Sequence, residues 1–331
     1  MIARPPQLIG TSAAFQAFRA RLEQVAASEA TVLIRGESGS GKDLAAAALH
    51  AASPRAAGPC IVVSLAALAP SLVEAELFGH EEGAFTGAHR ARLGRLRQAH
   101  GGTLVLDDVD SLPLEVQSKL VRVLQSRVVE PLGAERGVPV DVRLVCTTQR
   151  DLAAEVQAGR FRSDLYWRLA VVPLEVPPLR ARLEDLPELA RHLVRRLASE
   201  RRLPPRELEA ASLERLAAHA WPGNVRELEN ALERVLVLAE RGPDGAPPVR
   251  AEELEFLALA AEGLAQELAE RALAHGVTLE AFERALLEAA VRQQRGNLAA
   301  AARQLGLTRR ALEYRLSRFS GDSTRREGEA T

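Results

Sequence analysis

Residues 36–43 read GESGSGKD, three glycines and a lysine at the spacing of a phosphate-binding loop. Glycines let backbone amides close around phosphate oxygens. A helix opening just after the loop adds partial positive charge, and Lys42 reaches the terminal phosphates. The candidate ligands of a nucleoside triphosphate are Gly36, Glu37, Ser38, Gly39, Ser40, Gly41, Lys42 and Asp43. The lysine is informative because 41 of the 43 basic residues are arginine, the only other lysine being Lys119. Asp43 stands where such loops carry Ser or Thr for magnesium, so it would hold the metal only through water. LVLDD (104–108) supplies a matching acidic strand end. Asp107 is suited to orient Mg2+ and Asp108 to polarise an attacking water.

The elements that must position these groups follow from apolar periodicity. Phe15, Phe18, Leu22 and Val25 recur at helical spacing over 13–27. TVLIRG, PCIVVSL, GTLVLDDVD, DVRLVCTT and LAVVPLEV read as five buried strands, alternating with helices such as DLAAAALHAAS, LVEAELFG and VQSKLVRVLQ. That order predicts an α/β fold with a parallel sheet covered by helices on both faces. PPLRARLEDLP (177–187) breaks the alternation, and only helical segments run from Leu186 to about Glu240. In WPGNVREL, Trp221 reads as core, Asn224 as an N-cap, and Arg226 falls in the first helical turn. RGPDGAPP (241–248) reads as a linker.

Composition narrows the class. The chain has 331 residues, 47% hydrophobic and 26% charged, with net charge −1, so any nucleic-acid surface is local. Two cysteines, Cys60 and Cys146, lie in strand-like runs and read as buried free thiols of a reducing cytoplasm. No run reaches the roughly 18 apolar residues of a membrane span. The seven histidines show no metal-ligand spacing.

The last segment carries local charge. Residues 286–319 read as three helices, Asn297 capping the second and Thr308 the third, with Gly306 in the turn between them. Between 295 and 318 stand six arginines (295, 303, 309, 310, 315 and 318) against one acid, Glu313. A basic third helix fits phosphate contact and entry into the major groove of double-stranded DNA. The candidates there are Thr308, Arg309, Arg310, Glu313, Tyr314 and Arg315. A solvated dimerisation module is the alternative.

With GESGSGKD, FGHEEGAFTGA, GGTLVLDDVD, GRFRSDLYWRL, PPLRARLEDLP and WPGNVREL in order, residues 8–240 resemble the sigma-54-dependent transcriptional activators, bacterial enhancer-binding proteins of the AAA+ class. The C-terminal unit resembles a Fis-type helix-turn-helix. The resemblance implies an AAA+ P-loop α/β part at 1–176 and an all-helical lid at 177–241. A linker at 242–277, the DNA-binding unit at 278–320 and a disordered tail at 321–331 follow. With no room for a sensing domain before Leu8, the chain resembles single-component activators of the phage-shock-protein activator type, controlled by a regulatory protein in trans.

What the resemblance implies about residues is specific. Gly83, Ala84, Phe85, Thr86, Gly87 and Ala88 form the loop that touches sigma-54, with Phe85 and Thr86 in contact. A buried anchor is the alternative for Phe85. Arg162 and Arg168 are arginine fingers entering a neighbouring subunit's ATP site, and Arg226 senses the γ-phosphate. The chain departs from the family at Asp108 (family Glu), Ser64 (family Asn) and Gln149 (usually Asn), all beside the attacking water. The implied function is a cytoplasmic ATPase, dimeric when inactive and hexameric when active. It would bind an upstream inverted repeat and remodel sigma-54 RNA polymerase using ATP and Mg2+. The alternative is a DNA-binding regulator that uses ATP as an assembly switch with little or no hydrolysis.

Overall fold

The strands sort by burial into a centre and two edges. In the computed structural model, residues 7–84, 90–204, 206–239, 247–257, 268–294 and 296–320 are described. Phe85, Thr86, Gly87, Ala88, Arg295 and the tail 321–331 lie outside the described residues. The chain divides into two units, Met1–Leu254 and Glu255–Thr331.

The first unit holds a five-stranded parallel sheet in the order β2 (Cys60–Ser64), β5 (Thr103–Asp107), β8 (Arg143–Thr148), β1 (Val32–Arg35), β9 (Val172–Glu175). Three central strands are almost continuously buried, as strands covered on both faces must be. The outer two are not, contrary to the expectation of five buried strands. Each has a single strand neighbour, and on β2 only Val63 is buried while Val62 is 57% exposed. Cys60 is accordingly only half-buried, whereas Cys146 in central β8 is buried. Pro173 sits in edge strand β9, where a missing N–H is tolerated.

The helices covering the sheet are α1 (Ala13–Ala26), α2 (Lys42–Ala51), α3 (Pro70–Phe78), α4 (Arg95–Gln98), α5 (Leu114–Ser126), α6 (Leu152–Gln157) and α7 (Ser163–Leu169). One core joins α1 and α2 through Phe15, Phe18, Leu22 and Leu49 to Ile34 and Val145. The other packs Leu77, Phe78, Leu120 and Leu165 onto Leu104, Leu106 and Leu144. Arg143, 1% exposed, donates to Val25 O and Ala26 O, closing the C-terminus of α1. Two short antiparallel ladders, β3 (Gly79–His80) with β4 (Arg92–Leu93) and β6 (Val128–Val129) with β7 (Val138–Pro139), project from this body.

The lid comprises α8 (Leu186–Arg201), α9 (Ala210–Ala218) and α10 (Asn224–Leu238). Trp221 at its centre is fully buried and donates through Nε1 to Leu216 O at 2.8 Å. The packed lid continues beyond the segment expected to end it. Val249 and Leu254 are buried, and Val249 bridges to Leu208. Buried Arg206 donates to Pro247 O and Pro248 O and forks onto Glu253 at 2.8 and 2.9 Å. Residues 247–254, expected as linker, therefore belong to the lid.

The second unit contains α11 (Leu279–Gln293), α12 (Leu298–Gln304) and α13 (Arg309–Ser320) around Leu287, Ala290, Ala301, Ala302, Leu312 and Phe319. The side chains of Asn297 and Thr308 accept from Ala300 N and Ala311 N, capping α12 and α13 as expected. Gly306 turns the chain at φ 66°. Among the described residues no helix is long and apolar enough to cross a membrane.

Candidate nucleotide site and nucleic-acid interface

All five parallel strands end on one side, and register aligns the candidate residues there. Arg35, just before the loop, pairs with Thr148, and Ser64 pairs with Asp107. The crevice outside the carboxyl ends is where α/β sheets bind ligands. The loop leaves β1 with Gly36 N donating to Thr148 O, and it turns through Gly39 at φ 70° and Gly41 at φ 98°. Ser40 donates from N and Oγ to Glu37 O, at 3.3 and 2.9 Å. Helix α2 opens at Lys42 with no side chain capping its N-terminus, so its first amides are available to an anion. Lys42 is 8% exposed and donates through Nζ to Gly36 O at 3.1 Å and Glu37 O at 3.0 Å. Asp43 is exposed on the first turn of α2.

Asp107 and Asp108 share one buried threonine. Thr147 Oγ1 donates to Asp107 Oδ1 at 2.6 Å and accepts from Asp108 N at 3.1 Å. Asp108 adopts φ 55°, a left-handed conformation that turns its side chain out of the strand direction. Partial burial, then the charges of Asp107 and Asp110, push its carboxyl above the usual range, while Lys42 and Arg226 oppose them. Asp110 is held by Thr148 Oγ1 at 2.6 Å and by Arg150 at 3.3 Å. Sequence reasoning missed both threonines, although TT at the end of a central strand was the available signal. Ser64 and Gln149 are exposed at the same sheet edge. Ser64, Asp107, Asp108, Gln149 and the loop are therefore gathered on one face.

Asn224 requires a correction. It does not cap α10; it is buried at φ 54° as the helix's first residue, with Gly223 preceding it. Glu227, whose carboxylate accepts from Gly223 N, serves the helix start instead. Asn224 Oδ1 accepts from Leu179 N at 2.8 Å, and its Nδ2 donates to Glu37 Oε2 and Ser38 O, both at 3.1 Å. The left-handed backbone aims the side chain away from the helix and into the loop. Arg180 joins the same cluster, its two Nη atoms lying 2.6 and 2.5 Å from the Glu37 oxygens. Val225 N and Arg226 N donate to Gly39 O, and Arg226 Nη1 donates to Ser38 Oγ at 3.1 Å. A Cβ on Gly39 would lie 2.3 Å from Gly223 O, which explains glycine there. Beside the loop a cavity of about 620 Å³ opens between the α/β body and the lid. Leu8, Ile9 and Phe15 give it apolar walls suited to a nucleotide base.

Two expected groups make no hydrogen bond or ion pair to this face among the described residues. Arg162 stands at the N-cap of α7 and Arg168 in its last turn, and both are exposed. Arg162 forks onto Asp164 at 3.1 and 2.8 Å, and neither arginine bonds to the loop of its own chain among the described residues. The second is the GAFTGA segment, which leaves β3 and returns through β4. Of its residues Gly83 (φ 77°) and Ala84 are described. Ala84 lies against Gly133, and Glu81 N donates to Leu132 O, so the loop between β6 and β7 buttresses the base of the segment. Arg92 and Arg95 converge on the Glu76 carboxylate behind it.

In the second unit, Arg310 and Tyr314 are exposed on α13, Tyr314 at 70%. Thr308 is occupied by its cap. Arg309 is paired with Glu313 at 2.7 Å and Arg315 with Glu283 of α11 at 2.8 Å. Arg318 lies 3.8 Å from Glu280. Among the described residues Arg303 and Arg310 carry no ion pair.

Three family models match in this order. The sigma-54 interaction domain covers residues 8–175, the AAA+ ATPase lid domain 180–257, and the Fis-family bacterial regulatory protein model 278–319. The C4-dicarboxylate transport transcriptional regulatory protein DctD of Pseudomonas aeruginosa is 45% identical over 94% of this chain and 63% of its own length. The transcriptional regulatory protein ZraR of Escherichia coli is 45% identical over 94% of this chain and 68% of its own. The chain thus spans about two thirds of the length of these relatives. The crystal structure of NtrX from Brucella abortus in complex with ATP superposes with a TM-score of 0.71 at 36% identity. That match covers 95% of this chain and 70% of NtrX.

Proposed function

The chain belongs to the family of sigma-54-dependent transcriptional activators, and we propose that it is a working one: an ATPase that assembles into a ring on upstream DNA and remodels sigma-54 RNA polymerase. The observation that carries this reading is the gathering of Lys42, Asp107, Asp108 and Arg226 around one uncapped helix start. Loop amides and Lys42 bind the phosphates of ATP, and the cavity beneath the lid takes the base. The ATP complex of NtrX supports nucleotide binding at this fold. Asp107, held by Thr147, together with water-mediated Asp43, would hold Mg2+. A bound Mg2+ would neutralise charge on the phosphate oxygens.

Asp108 orients the attacking water and accepts its proton, a role that its raised pKa favours. Ser64 and Gln149 stand at the same sheet edge to relay the state of the site. Arg162 and Arg168, exposed and bonded to no loop residue of their own chain among the described residues, act in trans on a neighbouring copy's phosphate. The site is then complete only in a ring, which we take to be a hexamer formed from dimers. The segment Gly83–Ala88, carrying Phe85 and Thr86, couples that cycle to sigma-54. The Fis-type unit docks α13 in the major groove of an inverted repeat through Arg309, Arg310, Glu313, Tyr314 and Arg315. The reaction belongs in the cytoplasm.

The second reading, ATP as an assembly switch, is favoured by the short Asp108 beside Ser64 and Gln149. A carboxylate misplaced by about 1 Å can lose on the order of 100-fold in rate. Steady-state ATP hydrolysis across protein concentrations, with Lys42→Ala as blank, separates the two. Specific activity that climbs with concentration supports the ring ATPase. Turnover no higher than the blank, with ATP bound, supports the switch.

A further inference from the structure

Glu37 is the one acid between Gly36 and Lys42, and a carboxylate in a loop that receives phosphates repels its ligand. The structure answers that charge from outside the loop. Arg180, in the segment joining sheet to lid, covers both Glu37 oxygens with both Nη atoms. Asn224 donates a third hydrogen bond to the same carboxylate and a fourth to Ser38 O. Glu37 is thereby held below the usual carboxylate range, chiefly by the Arg180 hydrogen bond, and stays ionised. The pair is only partly exposed, 33% for Arg180 and 42% for Glu37, so solvent screens it incompletely.

We propose that Arg180 is a positioning residue for the triphosphate: it neutralises Glu37 and, with Asn224, holds loop and lid as one body. This rests on the ATP-binding reading above. Without Arg180 the bare carboxylate would face the arriving phosphates. The penalty would be larger for ATP than for ADP, because ATP carries the greater negative charge. A bidentate guanidinium–carboxylate pair also fixes orientation, which an ammonium in its place does only in part.

The test is fluorescence titration of the full chain with MANT-ATP and MANT-ADP. Arg180→Ala is expected to weaken MANT-ATP about tenfold and MANT-ADP about threefold, roughly 1.4 kcal/mol for the first. Adding Glu37→Gln to Arg180→Ala is expected to restore MANT-ATP binding to within about threefold of the parent, because the uncompensated charge is gone. Arg180→Lys is expected to fall between. Equal losses for both nucleotides with no rescue by Glu37→Gln would show a merely structural residue and overturn the proposal. So would unchanged affinity in Arg180→Ala. A parent chain that fails to bind MANT-ATP would overturn the proposed function itself, and this inference with it.

Discussion

On the proposed function the carboxyl edge of the sheet and the last helix both meet phosphates, yet they handle charge in opposite ways. At the sheet edge the key groups are engaged with partners in the protein itself. Lys42 bonds loop carbonyls, Asp107 takes a threonine, and Glu37 takes an arginine and an amide. On α13 the arginines stand in solvent, and most are paired only with half-buried or exposed acids of their own unit. The first arrangement fixes geometry, which chemistry at a phosphate requires. The second leaves charge that can exchange partners, which sliding contact with a polyanion requires.

That contrast can be broken at three positions. Trp221→Ala should cost the most, about 3–5 kcal/mol, because a fully buried indole and its bond to Leu216 O are both lost. Scanning calorimetry should show the first unit melting far earlier. Asp108→Asn should lower ATP turnover at least about 100-fold with MANT-ATP affinity retained, since it removes a base and leaves the loop intact. Retained turnover would argue that another group orients the water. Arg310→Ala should weaken DNA binding across sequences and reduce the salt slope by about 1, as loss of one phosphate contact does. A change confined to one base position would instead make Arg310 a base reader.

The smallest effect is on folding. A carboxyl whose folded pKa is raised holds its proton more tightly folded than unfolded. Asp108 therefore costs stability once the pH exceeds its ordinary value of 3.8, and the cost is complete above its raised value. Asp108→Asn should melt slightly higher than the parent at neutral pH and match it in acid, by melting temperatures across pH. The same substitution would thus slow the site and steady the fold.

What could be read beforehand follows the same division. The loop, the acidic strand end and the helical caps at Asn297 and Thr308 are local devices, and local residue types specify them. The parallel sheet followed from alternation of strand-like and helical runs. What escaped depends on partners far along the chain. Asn224 looked like a cap because Asn before a helical run commonly is one, but its real partners lie at Glu37, Ser38 and Leu179. Strand β2 looked buried because its residues are apolar, while its place at the sheet edge is a matter of topology. The return of residues 247–254 to the lid depends on Arg206, whose burial no periodicity announces. The six arginines near the C-terminus suggested free charge, and ion pairing to Glu283, Glu280 and Glu313 reduces it.

The lysine of the phosphate loop has one more consequence. Lys42 spends two of its three ammonium donors on Gly36 O and Glu37 O, so the loop itself holds its cation in place. A newcomer must outbid two carbonyls for that ammonium and fill the amides of α2 as well. On the proposed reading a chain of linked phosphates offers more oxygens to the two than a single phosphate or sulfate does. The loop therefore favours, on that reading, a polyphosphate, which reaches ammonium and amides together, over a single small anion.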